Sequence, residues 1–514
     1  MVATTTQPGA SRLARNFAYL LSSQLTTFVL SILATVVIPR YLGAVVIGRL
    51  ELATAVWLLG AAVIGFGMNL AITKAVARDH SLIGAMFCVA VTTRLLLAIP
   101  VAAAVFTYVF GVGYATQVAV LVAILAVGTL FETVASVADA VLLGVERVGA
   151  ISIAAVAGRL VAVAGAVALL AGGFGVYAVA AVGVGGSLLT MAIYLRAAHS
   201  VWRELDGLRP RRPTRQDIVA FMKDCAPYFG IAFFMIAYRQ VDTIVISLVV
   251  DDEAVLGWYS VYDRLAGTLM FIPVLFIAVV YPVLSRSYEE GQRNDVDQPT
   301  DDLPPEARLD EYRTLAGKSF RLMVLISIPA GLGLAVLARP VVQLLYGDEF
   351  VGAAPVVSVG AIVVSLTYLN SVFSMFLISM DRQRPITVLL AICVALTIPL
   401  DIALVQFFQT NSGNGAIGGA VSYAITESLM LAGAIYLLPR GSLDRGSAAF
   451  VGRVLVCGAM MTAVVIPLRG HELPVPIAAG VLTYVLAIVT LGVLTDDDRR
   501  SIISAIPARF RPGA

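Results

Sequence analysis

Long apolar runs recur along this chain from one end to the other, and they decide which solvent it folds in. Breaks at charged, glycine-bearing or proline-bearing positions divide the 514 residues into about fourteen runs. Each run is long enough to cross ~30 Å of hydrocarbon as a helix that rises ~1.5 Å per residue. Charged residues are only 13% of the chain, whereas a soluble domain carries about 25%. The sequence therefore predicts an all-α polytopic membrane protein with about fourteen transmembrane helices. The predicted spans are 17–38, 48–68, 83–110, 116–143, 150–170, 175–195, 221–249, 255–284, 317–338, 353–379, 385–408, 416–438, 449–467 and 475–494.

Lysine and arginine lie mostly on one side of these spans. If both termini are cytoplasmic, 26 of the 35 basic residues fall in or beside cytoplasmic segments and four fall in the outer loops. The opposite topology would place the strongly basic segment 203–215 outside, against the positive-inside rule. We therefore expect a multi-pass protein of the cell (cytoplasmic or inner) membrane with both termini in the cytoplasm. The net charge of +2 gives no reason to expect nucleic acid as a partner.

The sequence offers little that would support catalysis. The segment LAGKSF (315–320) ends like a phosphate-binding loop, but Tyr312 stands where that loop requires glycine. Neither metal-ligand spacing nor a Ser/His/Asp grouping stands out, so we predict no catalytic residue, no metal, no cofactor and no enzymatic activity. The cysteines lie far apart in or beside apolar runs, which indicates small buried side chains without a disulfide framework. They are Cys88, Cys225, Cys393 and Cys457.

The two halves of the chain resemble each other. The segment LLGVERVGAISI (142–153) aligns with LISMDRQRPITV (377–388), with an acid followed by arginine in both. Two further pairs align in the same order, with Gly48 placed on Gly257 in the first of them. They are VVIGRLELA (45–53) with AVLGWYSVY (254–262), and AVAAVGVGGSLLTMAIYL (178–195) with AVSYAITESLMLAGAIYL (420–437). Six spans in each half keep both copies in one orientation, as in a parallel repeat about an axis along the membrane normal.

This repeat predicts how the chain is divided. Two six-helix lobes are followed by two extra C-terminal helices, and the middle of the chain carries a polar loop that we expect to be a mobile connection. The predicted parts are an N-lobe at 1–200, a basic cytoplasmic linker at 201–220, a C-lobe at 221–440 with a polar cytoplasmic loop at 286–316, and the last two spans with a cytoplasmic tail at 441–514.

Three short motifs add a family resemblance. They are RYLGAVVIGRLELA (40–53) after span one, DDEAVLGWYSVYDRL (251–265) after span seven, and LLYGDEFVGAAPV (344–356) before span ten. With the pattern of six, six and two spans, the chain resembles the polysaccharide transporters, or Wzx-type oligosaccharide flippases, of the multidrug/oligosaccharidyl-lipid/polysaccharide (MOP) exporter superfamily. The resemblance implies a V-shaped monomer in membrane lipid, with a central cavity lined largely by spans one, two, seven and eight. It further implies alternating access that carries a polyprenyl-diphosphate-linked oligosaccharide outward.

Four charges fall at one depth in spans seven and eight. Arg239 and Asp242 are three residues apart in span seven and therefore share one helix face, and Asp263 and Arg264 follow in span eight. Exposure to lipid is excluded for such a group because each charge would be too costly there. Either the four form a salt-bridge cluster that braces the two helices, or they line a polar cavity. In the second case the arginines would donate paired hydrogen bonds to a diphosphate while the aspartates hold the guanidinium groups.

Other polar residues within spans have two possible roles each. Arg94 and Arg159 either find a partner on another helix or face the substrate cavity. Gln24 and Asn370 either bind sugar hydroxyls or form ordinary interhelical hydrogen bonds. Glu132 and Glu427 either carry a coupling proton or pair with an arginine, and the sequence leaves open whether H⁺ or Na⁺ drives transport. Asp401 lies nearer a span end and is expected to reach an interface.

Alternative functions remain open at this point. Within the same superfamily, the chain could be a cation-coupled multidrug exporter, against which the many charges in spans seven and eight argue. It could be a lipid II flippase, although span one contains no arginine. A membrane glycosyltransferase or polysaccharide polymerase is a different class, and it would need a larger outer loop than the short ones predicted here.

Overall fold

A computed structural model describes residues 8–204, 212–292, 305–438 and 446–494 of the chain, with side chains at 19–203, 212–288, 312–438 and 446–494. The described residues form sixteen α-helices and two short 3-10 turns, and no strand occurs among them. The helices are α1 Pro8–Leu42, α2 Ala44–Gly65, α3 Met68–Arg78, α4 Ile83–Val112, α5 Thr116–Gly144, α6 Val148–Ala171, α7 Val176–Glu204, α8 Arg215–Val249, α9 Glu253–Leu269, α10 Phe271–Gln292, α11 Pro305–Tyr346, α12 Ala353–Ser379, α13 Gln383–Ser412, α14 Gly415–Leu437, α15 Gly446–Leu468 and α16 Pro474–Thr490.

The predicted membrane architecture is confirmed. Thirteen helical segments of the described chain are long and apolar enough to cross a membrane, and Pro474–Thr490 is a shorter apolar helix at the position of the fourteenth predicted span. The predicted span two (48–68) matches α2, and α3, which the prediction placed in the following loop, extends the same apolar segment to Arg78. Span eight consists of α9 and α10. Parts of the predicted loops are helical as well, because α10 ends at Gln292 and α11 begins at Pro305. Residues 293–304 of the polar loop and 205–211 of the basic linker lie outside the described residues.

The break in span two is fixed by its contact with α8. Phe66 and Gly67 both have left-handed backbone conformations, with φ of 44° and 66°. The Phe66 ring stacks on Phe229, with centroids 4.4 Å apart. A Cβ on Gly67 would lie 2.7 Å from the carbonyl carbon of Tyr228, so no larger residue fits there. The apolar run is therefore interrupted where α8 crosses it.

The chain divides into two compact units, residues 1–260 and 261–514, with the division falling within α9. In the first unit α6 packs along α7 and α1, while α5 contacts α2, α3, α4 and α7. In the second unit α12 packs against α11 and α14, α13 pairs with α14, and α15 pairs with α16 and contacts α11. Each unit contains its own apolar core. The lobe boundaries given by the sequence remain a prediction.

The aligned segments 142–153 and 377–388 form the same turn. Glu146 and Asp381 have left-handed φ values of 59° and 57°. In both turns the amide of the acid donates to the carbonyl three residues back, and the amide of the following arginine donates to the carbonyl five residues back. An acidic residue in a left-handed conformation is uncommon, so finding one at the same aligned position in both segments supports the alignment. The two segments therefore share their local backbone structure.

The predicted topology can be tested at Ser200, which is exposed on α7. In a chain whose four native cysteines are replaced by serine, Ser200→Cys should not react with an impermeant maleimide added to intact cells. It should react once the cells are permeabilised. His471→Cys, exposed between α15 and α16, is the matched control and should be labelled in intact cells. Labelling of Ser200→Cys from outside would contradict the predicted orientation.

Candidate functional site

A cavity of about 530 Å³ lies within the first unit, between α2, α5, α6 and α7. Its size is in the range of small-molecule sites, ~300–1,000 Å³. Glycines bring α6 and α7 together behind it: a Cβ on Gly158 would overlap the Thr190 side chain, and one on Gly186 would lie 2.7 Å from the Gly158 carbonyl oxygen. The polar lining residues are Thr54, Trp57, Thr129, Glu132, Arg159, Ser187 and Thr190.

The cavity wall contains one carboxylate and one guanidinium group. The Ser187 hydroxyl donates a hydrogen bond of 2.9 Å to Glu132 Oε1, which joins α7 to α5. Arg159 Nη2 donates to the Ser31 hydroxyl of α1 at 2.9 Å. Both Glu132 and Arg159 are exposed to the space beside them. The wall can therefore offer a cationic fork, an anionic acceptor and several hydroxyls to a bound molecule.

Trp57 is the aromatic residue of the wall, beside leucine, valine, alanine and glycine residues, and it is 4% exposed. Its ring lies on α2, and its indole Nε1–H donates to the Thr129 hydroxyl at 2.6 Å. Because that bond satisfies the only donor of the indole, the ring is held in one orientation beside the cavity. Sequence inspection missed Trp57, Thr129 and Ser187, since single aromatic or hydroxyl residues are ordinary within apolar helices.

Arg94 does not line this cavity. It is 3% exposed on α4 and lies at the break between α2 and α3. Its Nη2 donates to Asn69 Oδ1 at 2.6 Å and, over 3.4 Å, to the carbonyl oxygen of Gly65. Its Nη1 donates to Ser136 Oγ and, over 3.4 Å, to the carbonyl oxygen of Thr133. The guanidinium thus holds the last turn of α2, the first turn of α3 and α5 together, and a cation is favourable at a helix C-terminus.

The two acids proposed from the sequence as proton carriers differ in environment. Glu427 on α14 is 3% exposed, and Asn370 on α12 is 6% exposed. Asn370 Nδ2 donates to Glu427 Oε2 at 2.6 Å and to the Glu427 carbonyl oxygen at 2.9 Å. Asn370 and Glu427 therefore form an interhelical pair inside the second unit, whereas Glu132 is exposed. Asp401, which we expected to reach an interface, is 0% exposed, because α13 packs closely on α14 along this stretch.

The charged residues of spans seven and eight divide between the two units. Arg239 is exposed on α8, whereas Asp242, one turn later, is 1% exposed. Asp242 Oδ2 accepts a hydrogen bond of 2.6 Å from the Tyr259 hydroxyl of α9, a partner that the sequence did not reveal. Asp263 and Arg264 are half-buried in the second unit. Gln24 is exposed on α1 in the first unit.

Comparisons with known proteins were made for family, sequence and fold. A family model described as "Polysaccharide biosynthesis protein" matches residues 13–288. No curated protein sequence matches the chain significantly. Three solved structures share the fold over most of both chains, at sequence identities that allow a statement about fold alone.

The first of these structures is the lipid II flippase MurJ in an inward closed conformation. Its TM-score is 0.71 at 13% identity, over 95% of this chain and 100% of that one. The second is an inward-facing multidrug resistance MATE transporter of the MOP superfamily, with a TM-score of 0.60 at 15% identity over 85% and 94%. The third is the eukaryotic MATE transporter AtDTX14, with a TM-score of 0.56 at 13% identity over 83% and 96%.

Proposed function

The chain belongs to the polysaccharide biosynthesis protein family, and we propose that it carries a polyprenyl-diphosphate-linked oligosaccharide from the cytoplasmic to the outer leaflet of the cell membrane. The family resemblance drawn from its motifs is confirmed, and its fold is that of the MOP superfamily transporters. One protein of that fold is a flippase for lipid II, a different lipid-linked saccharide. Transport of a lipid-linked glycan is a function that agrees both with the polysaccharide family and with this fold.

The observation that carries the proposal is the cavity of the first unit with its cluster of polar groups. Hydroxyls, one carboxylate, one guanidinium group and a fixed indole ring stand among apolar side chains and glycines around a space of about 530 Å³. Hydroxyls both donate to and accept from sugar hydroxyls, a carboxylate accepts from them, and an aromatic face packs on the C–H side of a sugar ring. Such groups are costly within a membrane unless protein partners, water or a polar ligand satisfy them, and the exposed sides of Glu132 and Arg159 leave room for a ligand. The cavity therefore supports a glycan as the transported group.

We further propose that Glu132 carries the coupling proton. Its carboxylate is exposed beside the cavity and bonded to Ser187, so it can exchange a proton with water that enters there. Glu427 is enclosed with Asn370, and this environment supports a structural role. Glu132 and Arg159 line the same cavity, so protonation of Glu132 would change the charge that a bound ligand meets there and couple proton exchange to ligand binding.

The direct test is a flipping assay in proteoliposomes. Vesicles would contain a fluorescent polyprenyl-diphosphate oligosaccharide in both leaflets, and a membrane-impermeant reductant would report the rate of exchange between leaflets. We expect protein-dependent exchange that responds to an imposed proton gradient. Lipid II and a cationic dye are the competing substrates. Selective exchange of lipid II, or uptake of the dye alone, would contradict the proposed substrate and indicate one of the two other MOP functions.

Arg159→Gln is expected to lower the flipping rate about tenfold or more, because a hydrogen bond to a charged group contributes about 1.5–3 kcal/mol. The amount of folded protein should stay normal, since the side chain is exposed. Glu132→Gln should lower the rate and remove its dependence on the proton gradient. Arg78→Gln, exposed at the end of α3 and outside the cavity lining, is the matched control and should flip normally. Equal rates for all three variants would exclude this cavity as the transport site.

A further inference from the structure

The second turn of α2 and the first turn of α9 are tied together by one ionic contact. Arg49 Nε donates to Glu253 Oε2 at 2.7 Å, and its Nη2 lies 2.5 Å from the same oxygen. The third nitrogen of the fork, Nη1, donates to Gln117 Oε1 on α5 at 2.6 Å. All three residues belong to the first unit, at the end of the helices that the sequence predicts to face outward. The guanidinium group thus holds three helices at that end.

Behind this ionic contact the two helices touch through their backbones. A Cβ on Gly48 would lie 3.0 Å from the Gly257 amide nitrogen and would overlap the Glu253 carbonyl oxygen. A Cβ on Gly257 would overlap the Ala44 carbonyl oxygen. Gly48 and Gly257 are the residues that the internal repeat aligns, so each copy of the motif meets the other at this crossing. The helices therefore touch backbone to backbone at the two glycines, while Ile47 and Leu256 beside them are buried.

Both contacts are of a kind that can open again. The Arg49 and Glu253 side chains are 29% and 34% exposed, and an ion pair so close to water is weak because solvent screens it. Two glycine surfaces can separate without repacking of rotamers, unlike an interdigitated apolar contact. Next to the pair, a cavity of about 290 Å³ contains Tyr114 and Ser247, whose hydroxyls are 2.9 Å apart. Polar groups already line the space that would open.

We propose that Arg49, Glu253 and Gln117, with the Gly48–Gly257 crossing, form an outer gate that is closed in this structure and parts when the transporter opens outward. The inference rests on the proposed transport function, because only a transporter needs such a gate, but it does not depend on which molecule is transported. In the closed state the ionic contact holds the N-terminal parts of α2 and α9 together, and the glycine crossing lets them come close enough to exclude substrate. Opening requires that the ion pair be hydrated and that the two helices slide apart, which also exposes Ile47 and Leu256.

The gate can be tested without any substrate. Ser247→Cys, in the chain with its native cysteines replaced by serine, reports access to the cavity from the outer side through its rate of reaction with an impermeant maleimide. Adding Glu253→Gln should raise that rate several-fold. The swapped pair Arg49→Glu with Glu253→Arg should return the rate toward its original value. Asp251→Asn, which removes a carboxylate from the same turn but leaves the Arg49 bonds in place, is the control and should leave the rate unchanged.

A second experiment holds the gate closed with a chemical cross-link. Arg49→Cys with Glu253→Cys, joined by a short bismaleimide, should lose flipping in the vesicle assay, while either single variant treated with the same reagent should retain it. The gate proposal would be overturned if Glu253→Gln left the labelling rate unchanged, or if the cross-linked protein flipped its substrate at the full rate. If the labelling rate changes as expected but no lipid-linked glycan is flipped, the result supports the gate and contradicts the proposed substrate.

Discussion

Replacing Arg94 by alanine is expected to destabilise the first unit more than any other single change at an intramembrane charge. The substitution removes the donor for Asn69 and Ser136, and a buried polar group left without its partner costs about 1–3 kcal/mol. It also leaves a void where a long side chain was 97% buried. The break between α2 and α3 would lose the group that joins its two sides. We expect a fall of several degrees in the melting temperature of the purified protein and less protein in the membrane.

Arg159→Ala is the matched control for this prediction. It removes the same guanidinium group from the same unit, but from the exposed wall of the cavity instead of the packed interior. Its melting temperature should stay close to that of the unaltered protein while flipping falls. Arg94→Lys should be intermediate in stability, because the charge remains but the fork that reaches both Asn69 and Ser136 is lost. An Arg94→Ala protein of normal stability that fails only in flipping would place Arg94 in contact with the cargo.

Hydropathy predicted the membrane-embedded part of the fold closely. The predicted span 353–379 coincides with α12, and 116–143 ends one residue before α5 does. These limits could be predicted because apolar length alone decides where a helix can cross a membrane. Helical segments outside the membrane could not be predicted in this way. The helix α11 begins at Pro305, twelve residues before the predicted span at 317, because its first three turns are polar and hydropathy does not detect them.

The break in span two could not be predicted from the sequence. Phe66 and Gly67 stand at the end of the predicted span 48–68, no charge follows before Lys74, and glycine is common within membrane helices. What interrupts the helix is the backbone of Tyr228, more than 150 residues away along the chain. A left-handed turn selected by a tertiary contact leaves no periodic signal.

The charges showed where chemistry was possible but not which role each plays. Arg94 and Arg159 are equivalent in the sequence, each a lone arginine in an apolar run, yet the structure buries one and exposes the other. Glu132 and Glu427 differ in the same way. The partners that distinguish them, such as Ser187 and Asn370, are neutral residues on helices that are adjacent only in the folded protein. Sequence reasoning missed Tyr259 for the same reason, although it fixes Asp242.

Arg239→Lys is the second substitution with a large expected effect, and it concerns transport. Arg239 is exposed on α8, within the predicted span 221–249, where contact with lipid would be unfavourable. We expect its planar fork to donate two hydrogen bonds to the diphosphate of the substrate. Lysine keeps the charge but presents a single compact donor group. Losing one such bond, about 1.5–3 kcal/mol, corresponds to a roughly ten- to hundredfold fall in the flipping rate, with a normal amount of folded protein.

Two further variants separate this role from that of a strut between helices. If Arg239 only braced its neighbours, lysine would largely replace it, and Arg239→Ala would be the variant that loses stability because it strands a buried carboxylate. Tyr259→Phe tests the bracing directly, since it removes the hydrogen bond that holds Asp242 to α9. We expect it to lose about 1 kcal/mol of stability and to flip at the normal rate per folded molecule. Normal flipping by well-folded Arg239→Lys, and equally by Arg264→Lys, would leave both arginines as structural residues and move the diphosphate site elsewhere.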